Sequence, residues 1–147
     1  MDSVQFLIRG FEYDLWANQK WLGALSGFRQ FERVQQVMEH VLFAQGVWLE
    51  RCGAWVPVQE DNLDMRTVFE VYARSWIGLV EASDLDNPIT YTTSTGYQFT
   101  QSVGDIALHV INHGTYHRGQ LRGIADSDGY AGFPETDLIL FLRERGM

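Results

Sequence analysis

The segment His109-Val110-Ile111-Asn112-His113-Gly114-Thr115-Tyr116-His117-Arg118-Gly119-Gln120 sets three of the chain's four histidines at intervals of four residues. Residues four apart on a helix share a face, with Cβ atoms about 5–6 Å apart. Two imidazoles so placed both reach one transition-metal ion at ~2.0–2.1 Å. Three in a row offer two overlapping pairs, so helical phase decides between them. At ~100° per residue, Ile106, Val110, His113, His117, Leu121 and Ile124 gather on one stripe. His109 falls at its edge, beside Asp105, Asn112 and Tyr116, so the inward pair is His113 and His117. A catalytic ion ordinarily has three protein ligands and an open position. The remaining histidine, His40, lies in an apolar arc of an earlier segment. Setting the two segments side by side completes a three-histidine set. Core or solvated histidines are the usual reading of a single His; three that converge, two of them at i,i+4, favour a metal.

Other chemistries lack their residues. A His-Glu-x-x-His protease needs Glu after the first His as its general base, and Gly114 stands there. There is no Gly-rich phosphate loop and no Ser or Cys in a nucleophile motif. Asp126-Ser127-Asp128-Gly129 has the start of a calcium loop but not its remaining acidic ligands, so it reads as a helix terminus and turn.

The elements that must position these residues follow from hydrophobic spacing. Val4, Leu7, Phe11, Leu15, Leu22 and Leu25 predict a first helix that Gly27 ends, with Asp14 and Asn18 on its apolar stripe. A second helix is expected over Phe31 to Cys52, stopped by Gly53. Its arc of Val34, Val37, Met38, Val41, Leu42, Ala44, Val47, Trp48 and Leu49 is broad enough to need neighbours on several sides, as in a bundle. His40 sits within that arc. From Gly53 to Arg66 the chain turns acidic and irregular (Glu60, Asp61, Asn62, Asp64). Thr67 with Glu70 resembles a capping box for a third helix to Ser83. Alternation in Ile89–Thr93 and Tyr97–Thr100 around Ser94-Thr95-Gly96 predicts a hairpin or two extended arms. Ser102 is positioned to cap a fourth helix to about Asp126, and Thr136 to cap a short last one over Asp137–Arg145 that buries Leu138, Leu140, Phe141 and Leu142. The fold expected is all-α, an antiparallel four-helix bundle, with one domain over residues 1–147.

The 147 residues are 46% apolar and 14% aromatic, which excludes a disordered chain. Eleven Lys and Arg against 19 Asp and Glu give a net charge of −8, which argues against nucleic acid and anionic membranes as partners. Cys52 is the single cysteine, so no internal disulfide forms. An acid at Asp2 replaces the basic region of a secretory signal, and no apolar run is long enough to span a bilayer. A cytoplasmic protein is expected.

Phe11-Glu12-Tyr13-Asp14-Leu15-Trp16-Ala17-Asn18 resembles the Tyr-x-x-Trp-Ala-Asn signature of the first helix in the DinB-like family, the damage-inducible, YfiT-like metalloenzymes. His40-Val41-Leu42 followed by Trp48-Leu49-Glu50-Arg51 is similar to its second-helix ligand segment. Asn112-His113-Gly114-Thr115-Tyr116-His117-Arg118-Gly119-Gln120 is similar to its most diagnostic motif, Asn-His-x-x-x-His-Arg-Gly-Gln. Thr136-Asp137-Leu138-Ile139-Leu140-Phe141-Leu142-Arg143 also fits. The resemblance implies a four-helix bundle holding one divalent ion on His40, His113 and His117, with nickel or zinc ahead of iron or manganese. It further implies a homodimer and a small-molecule substrate, with thiol-dependent transfer and isomerisation among the activities of relatives.

Asp14 and Asn18 either orient a ligand imidazole or satisfy each other inside the core. Asn112 and Gln120, near the stripe's edge, are placed to touch substrate or backbone, as is His109. Arg118 is expected to meet an acid such as Asp14 or Glu12. Gly114 and Gly119 read as close-packing positions. Trp16, opposite the core stripe, is either a dimer contact or covered by a loop. Two functions remain in play. One is a metal-dependent hydrolase or thiol-dependent transferase, whose open metal positions take water or a thiolate because no protein nucleophile is identified. The other is a non-enzymatic, metal-stabilised binding or stress-response module.

Overall fold

The chain's computed structural model describes residues 1–54 and 64–147. The elements are helices α1 (Ser3–Ala24), α2 (Phe31–Arg51) and α3 (Met65–Ala82), strands β1 (Pro88–Thr92) and β2 (Gln98–Ser102), and helices α4 (Val103–Asp128) and α5 (Leu138–Glu144). A 3-10 turn, Leu25–Gly27, follows α1. The expected elements form in the expected order. The irregular stretch at Glu60, Asp61 and Asn62 lies outside the described residues.

Four long helices pack around two apolar clusters. One joins Trp21 and Leu25 of the α1 end to Val34, Val37, Met38 and Val41 of α2, Phe69 of α3, and Leu121, Ile124 and Ala125 of α4. The other joins Phe11, Leu49, Tyr72, Trp76, Val80, Ile106, Ala107 and Val110. The start of α2 therefore shares one end of the bundle with the finish of α4, and these two neighbours run antiparallel. The same comparison makes α1 and α3 antiparallel.

Helix ends show where local chemistry decided. The Ser102 hydroxyl accepts from Asp105 N at 3.1 Å and starts α4, while Gly129 at φ +66° ends it in the left-handed conformation that glycine adopts without strain. The Asp126–Gly129 segment is thus a helix terminus, with Asp126 on Arg122 and Asp128 on Gln30. At α3 the cap is Asp64, not Thr67. Its carboxylate accepts from Thr67 N at 2.8 Å, starting the helix at Met65. A carboxylate at the positive end of a helix is favoured by the dipole, and Glu70 instead accepts from Gln19 Nε2 at 3.0 Å.

The hairpin pairs Pro88 with Ser102 through to Thr92 with Gln98, and its turn uses Gly96 at φ +89°. It is held on α2 by Arg51, whose guanidinium lies 4.4 Å from the Trp48 ring and 4.8 Å from the Tyr91 ring.

At α5, Thr136 is not a cap. Its carbonyl accepts from Tyr13 OH at 2.5 Å and its hydroxyl accepts from Trp21 Nε1 at 3.0 Å, tying the chain to α1. Only Phe141 is buried on this helix, while Leu138 is 47% exposed. A seven-residue helix lying on one neighbour has a single buried stripe, so Leu140 and Leu142 are only half-buried beside Phe141 and Leu138 stays at the surface. Phe141 covers Trp16, 5.6 Å away between ring centres, so Trp16 is a half-buried residue beneath α5.

Between the apolar clusters lies a buried polar layer. Asp14 Oδ1 accepts from Arg118 Nη1 at 2.7 Å, and Asp14 Oδ2 accepts from Asn18 Nδ2 at 3.0 Å and from Gln45 Nε2 at 2.7 Å. Arg118 Nη1 also donates to Asn18 Oδ1 at 2.7 Å. Both side chains of the ion pair are 3% exposed. Removing one member of such a pair leaves a buried charge uncompensated, at a cost of about 3–5 kcal/mol. Gly114 faces the layer: a Cβ there would collide with the Asp14 carboxylate. Gly119 behaves otherwise, being exposed with open space around it, so it is not a packing position.

Urea melts should therefore show Asp14→Ala losing about 3–5 kcal/mol. The double replacement Asp14→Leu with Arg118→Met should lose less than the sum of its single changes; strict additivity would argue against a coupled pair. Gly119→Ala should stabilise by up to about 1 kcal/mol through helix propensity, whereas Gly114→Ala should destabilise.

Candidate metal centre

The histidines meet where α2 and α4 lie side by side. Val37, Met38 and Val41 anchor α2 against Leu121 and Ile124 of α4, and His40, on the same helix, reaches the groove edge. The residue is exposed, a departure from the buried arc expected, because the arc's buried centre is formed by Val34, Val37, Met38 and Val41 and His40 falls at its edge. His113 and His117 are half-buried on the stripe between Val110 and Leu121.

His113 Nε2 is 3.1 Å from His40 Nε2 and 3.1 Å from His117 Nε2, and all three atoms lie within 4.8 Å of one another. Bonds of ~2.0–2.1 Å to a common ion, at right or tetrahedral angles, set N···N separations of about 2.9–3.4 Å. The donor set fits a divalent transition metal. Gln120 Oε1 lies 2.9 Å from His117 Nδ1, so the amide oxygen accepts from Nδ1–H and leaves the Nε2 lone pair facing the other two rings. Three such nitrogens cannot all hydrogen-bond one another, so a shared cation satisfies them best.

The surroundings favour the neutral form of His113 and His40. Burial, followed by the charges of His117, His40 and His109, pushes His113 down to about 4. Burial and His117 also lower His40. Neutral imidazole is the metal-binding form.

The other sequence candidates are placed elsewhere. Asp14 and Asn18 touch no histidine ring and hold Arg118 instead, the second of the two roles their position allowed. Arg118 meets Asp14, not Glu12. Asn112 is exposed. His109 is exposed and stacks edge-on against Trp48, 5.4 Å between ring centres, outside the cluster of three. Gln45 was missed by the sequence reading, although its spacing of four from both Val41 and Leu49 puts it on their inward face. The groove beside the trio opens into a cleft of about 310 Å³ lined by Arg33, Gln36, Val37, His40, His117 and Gln120.

The pH dependence follows from His113. The unfolded chain takes up its proton near 6.5 and the folded chain near 4, so stability is intact above pH 6.5 and falls as pH drops toward 4. Carboxylates titrate nearby, so the measurement is a difference. In chelator, the melting temperature of the wild type minus that of His113→Gln should decline from pH 6.5 to 4. A constant difference would contradict a depressed His113.

The family model for the DinB family matches residues 11–145. Protein DinB of Bacillus subtilis (strain 168) is 24% identical over 162 residues, covering 93% of this chain and 94% of that protein. No solved structure gives a significant match.

Proposed function

The chain belongs to the DinB family, and from that premise we propose that it holds one divalent transition metal, nickel or zinc, on His40, His113 and His117 and uses it for a thiol-dependent transfer reaction. The observation that carries this reading is the convergence of three Nε2 atoms, one with its tautomer set by Gln120. A divalent ion there supplies a Lewis acid that lowers the pKa of a group at its open positions.

The chain's own residues favour transfer over hydrolysis. Among the described residues no carboxylate lines the cleft, so none of them offers a carboxylate general base for water. A thiol, of pKa near 8.5, would be acidified by a bound Lewis acid enough to lose its proton to solvent water near neutral pH, with no protein base required. Cys52 does not provide the nucleophile, because burial pushes its thiol up to about 11. The reactive group therefore comes with the ligand. His117, half-buried on α4, is held by Gln120 on one side, while exposed His40 leaves the site open to the cleft. That opening favours a catalytic site over a closed structural one.

Protein purified without an affinity tag should contain about one ion per three-histidine site by elemental analysis. His113→Ala should abolish retention, and Gln120→Ala should weaken affinity by about 10–100-fold. Stoichiometric metal in the His113→Ala protein would refute the assignment. A purely structural ion would instead give a large loss of melting temperature on chelation with no coordination position open to added thiol.

A further inference from the structure

We infer that Arg33 is a specificity-determining residue that binds the anionic group of a small-molecule ligand lying in the α2–α4 cleft, with the ligand's other end at the histidine trio. This rests on the reading of the trio as a metal site.

The charge inventory of the cleft carries the inference. In a chain with 19 acidic residues and a net charge of −8, the described residues that line the cleft include one guanidinium and no carboxylate. Arginines elsewhere that meet carboxylates are Arg118 with Asp14, Arg122 with Asp126 and Glu135, and Arg74 with Glu70. Arg51, beyond the opposite end of the trio, is stacked on Trp48 and Tyr91 and donates to the Thr92 carbonyl at 3.5 Å. Arg33 has only the neutral Gln30, its Nη1 donating to Oε1 at 3.1 Å, and no described carboxylate lies within 4.0 Å of it. Asp128 is linked to this corner through Gln30, but the Gln30 side chain and backbone N–H occupy its two oxygens at 2.6 and 3.2 Å. A planar guanidinium with free donors matches a carboxylate or phosphate oxyanion. Gln36 adds an amide, and Gln120, whose oxygen serves His117, retains its Nε2 as a donor into the same space.

Geometry limits the ligand further. Seven residues of helix separate Arg33 from His40, a rise of about 10 Å. A bare phosphate or acetate cannot reach both ends. The ligand must have its oxyanion several bonds from the atom that meets the metal.

The test uses the intact chain loaded with cobalt(II), whose visible spectrum reports ligand exchange, and two hydroxamates of matched length. Succinic monohydroxamate ends in a carboxylate, and butyrohydroxamate ends in a methyl group at the same place. The wild type should bind the carboxylate probe about tenfold more tightly, with the preference shrinking at high salt. Arg33→Gln should bind both probes alike, and Arg33→Lys should restore part of the preference. Equal affinities in the wild type, or a preference that survives in Arg33→Gln, would overturn the inference while leaving the metal site intact. Failure of the wild type to take up cobalt would overturn the metal reading and this inference with it.

Discussion

A buried ion pair, Asp14 with Arg118, fixes the arrangement on which the site depends. Arg118 reaches into the bundle toward α1, where Asp14 and Asn18 hold it at 2.7 Å. At ~100° per residue, locking Arg118 inward sets His117 and His113 on the flank of α4 about 100–140° away. That flank faces the groove beside α2. Gln45 reaches the same Asp14 carboxylate at 2.7 Å, so the second ligand-bearing helix is bound to the same layer. Ion pairs of this kind add little net stability compared with apolar packing, and their best-attested use is to specify register. Here the register specified is that of α4 against α1 and α2.

The histidine trio is unfavourable in isolation, since three imidazoles within 4.8 Å repel once more than one is protonated. The helices do not relax this by turning a ring outward, because apolar residues above and below, Val110 and Leu121, hold α4's stripe in place. The polar layer and the apolar clusters thus impose a cost that neutral rings or a cation relieves. His113, lowered to about 4, owes this first to burial and then to the neighbouring histidines.

Much of this was legible in the sequence, for a physical reason. Helical phase is set within one element, so His113, His117 and the outlying His109 separate by spacing alone. His40 followed because it was the only histidine left in an apolar arc. What phase cannot give is the angle between helices and the partner across them. Asp14 was therefore one of two acids open to Arg118, with Glu12 the other, and spacing alone did not show that Asn18 and Gln45 would join the same layer. Trp16 was seen as lying off the main stripe, yet its cover, Phe141, comes from the far end of the chain. The cap of α3 was missed because Asp64 falls in an acidic run whose other members masked its position, and dipole energetics favour the carboxylate over Thr67.

The groove has two unlike ends, and the contrast gives the trio a direction. Toward the finish of α2, Arg51, Trp48 and Tyr91 form a stacked plug that seats the hairpin, with His109 packed against the same indole. Cations and rings there satisfy each other. Toward the start of α2, the exposed side chains of Arg33, Gln36 and Gln120 line open space, and Arg33 spends one donor on Gln30 while the rest face solvent. An anion entering there would replace water on those donors. Among the described residues, this acidic protein leaves a cation without a carboxylate partner beside its cluster of imidazoles, which places an attraction for an anion next to the candidate metal site. Approach from the Arg33 side is thus favoured both by free volume and by charge, whereas on the hairpin side the guanidinium of Arg51 is already engaged.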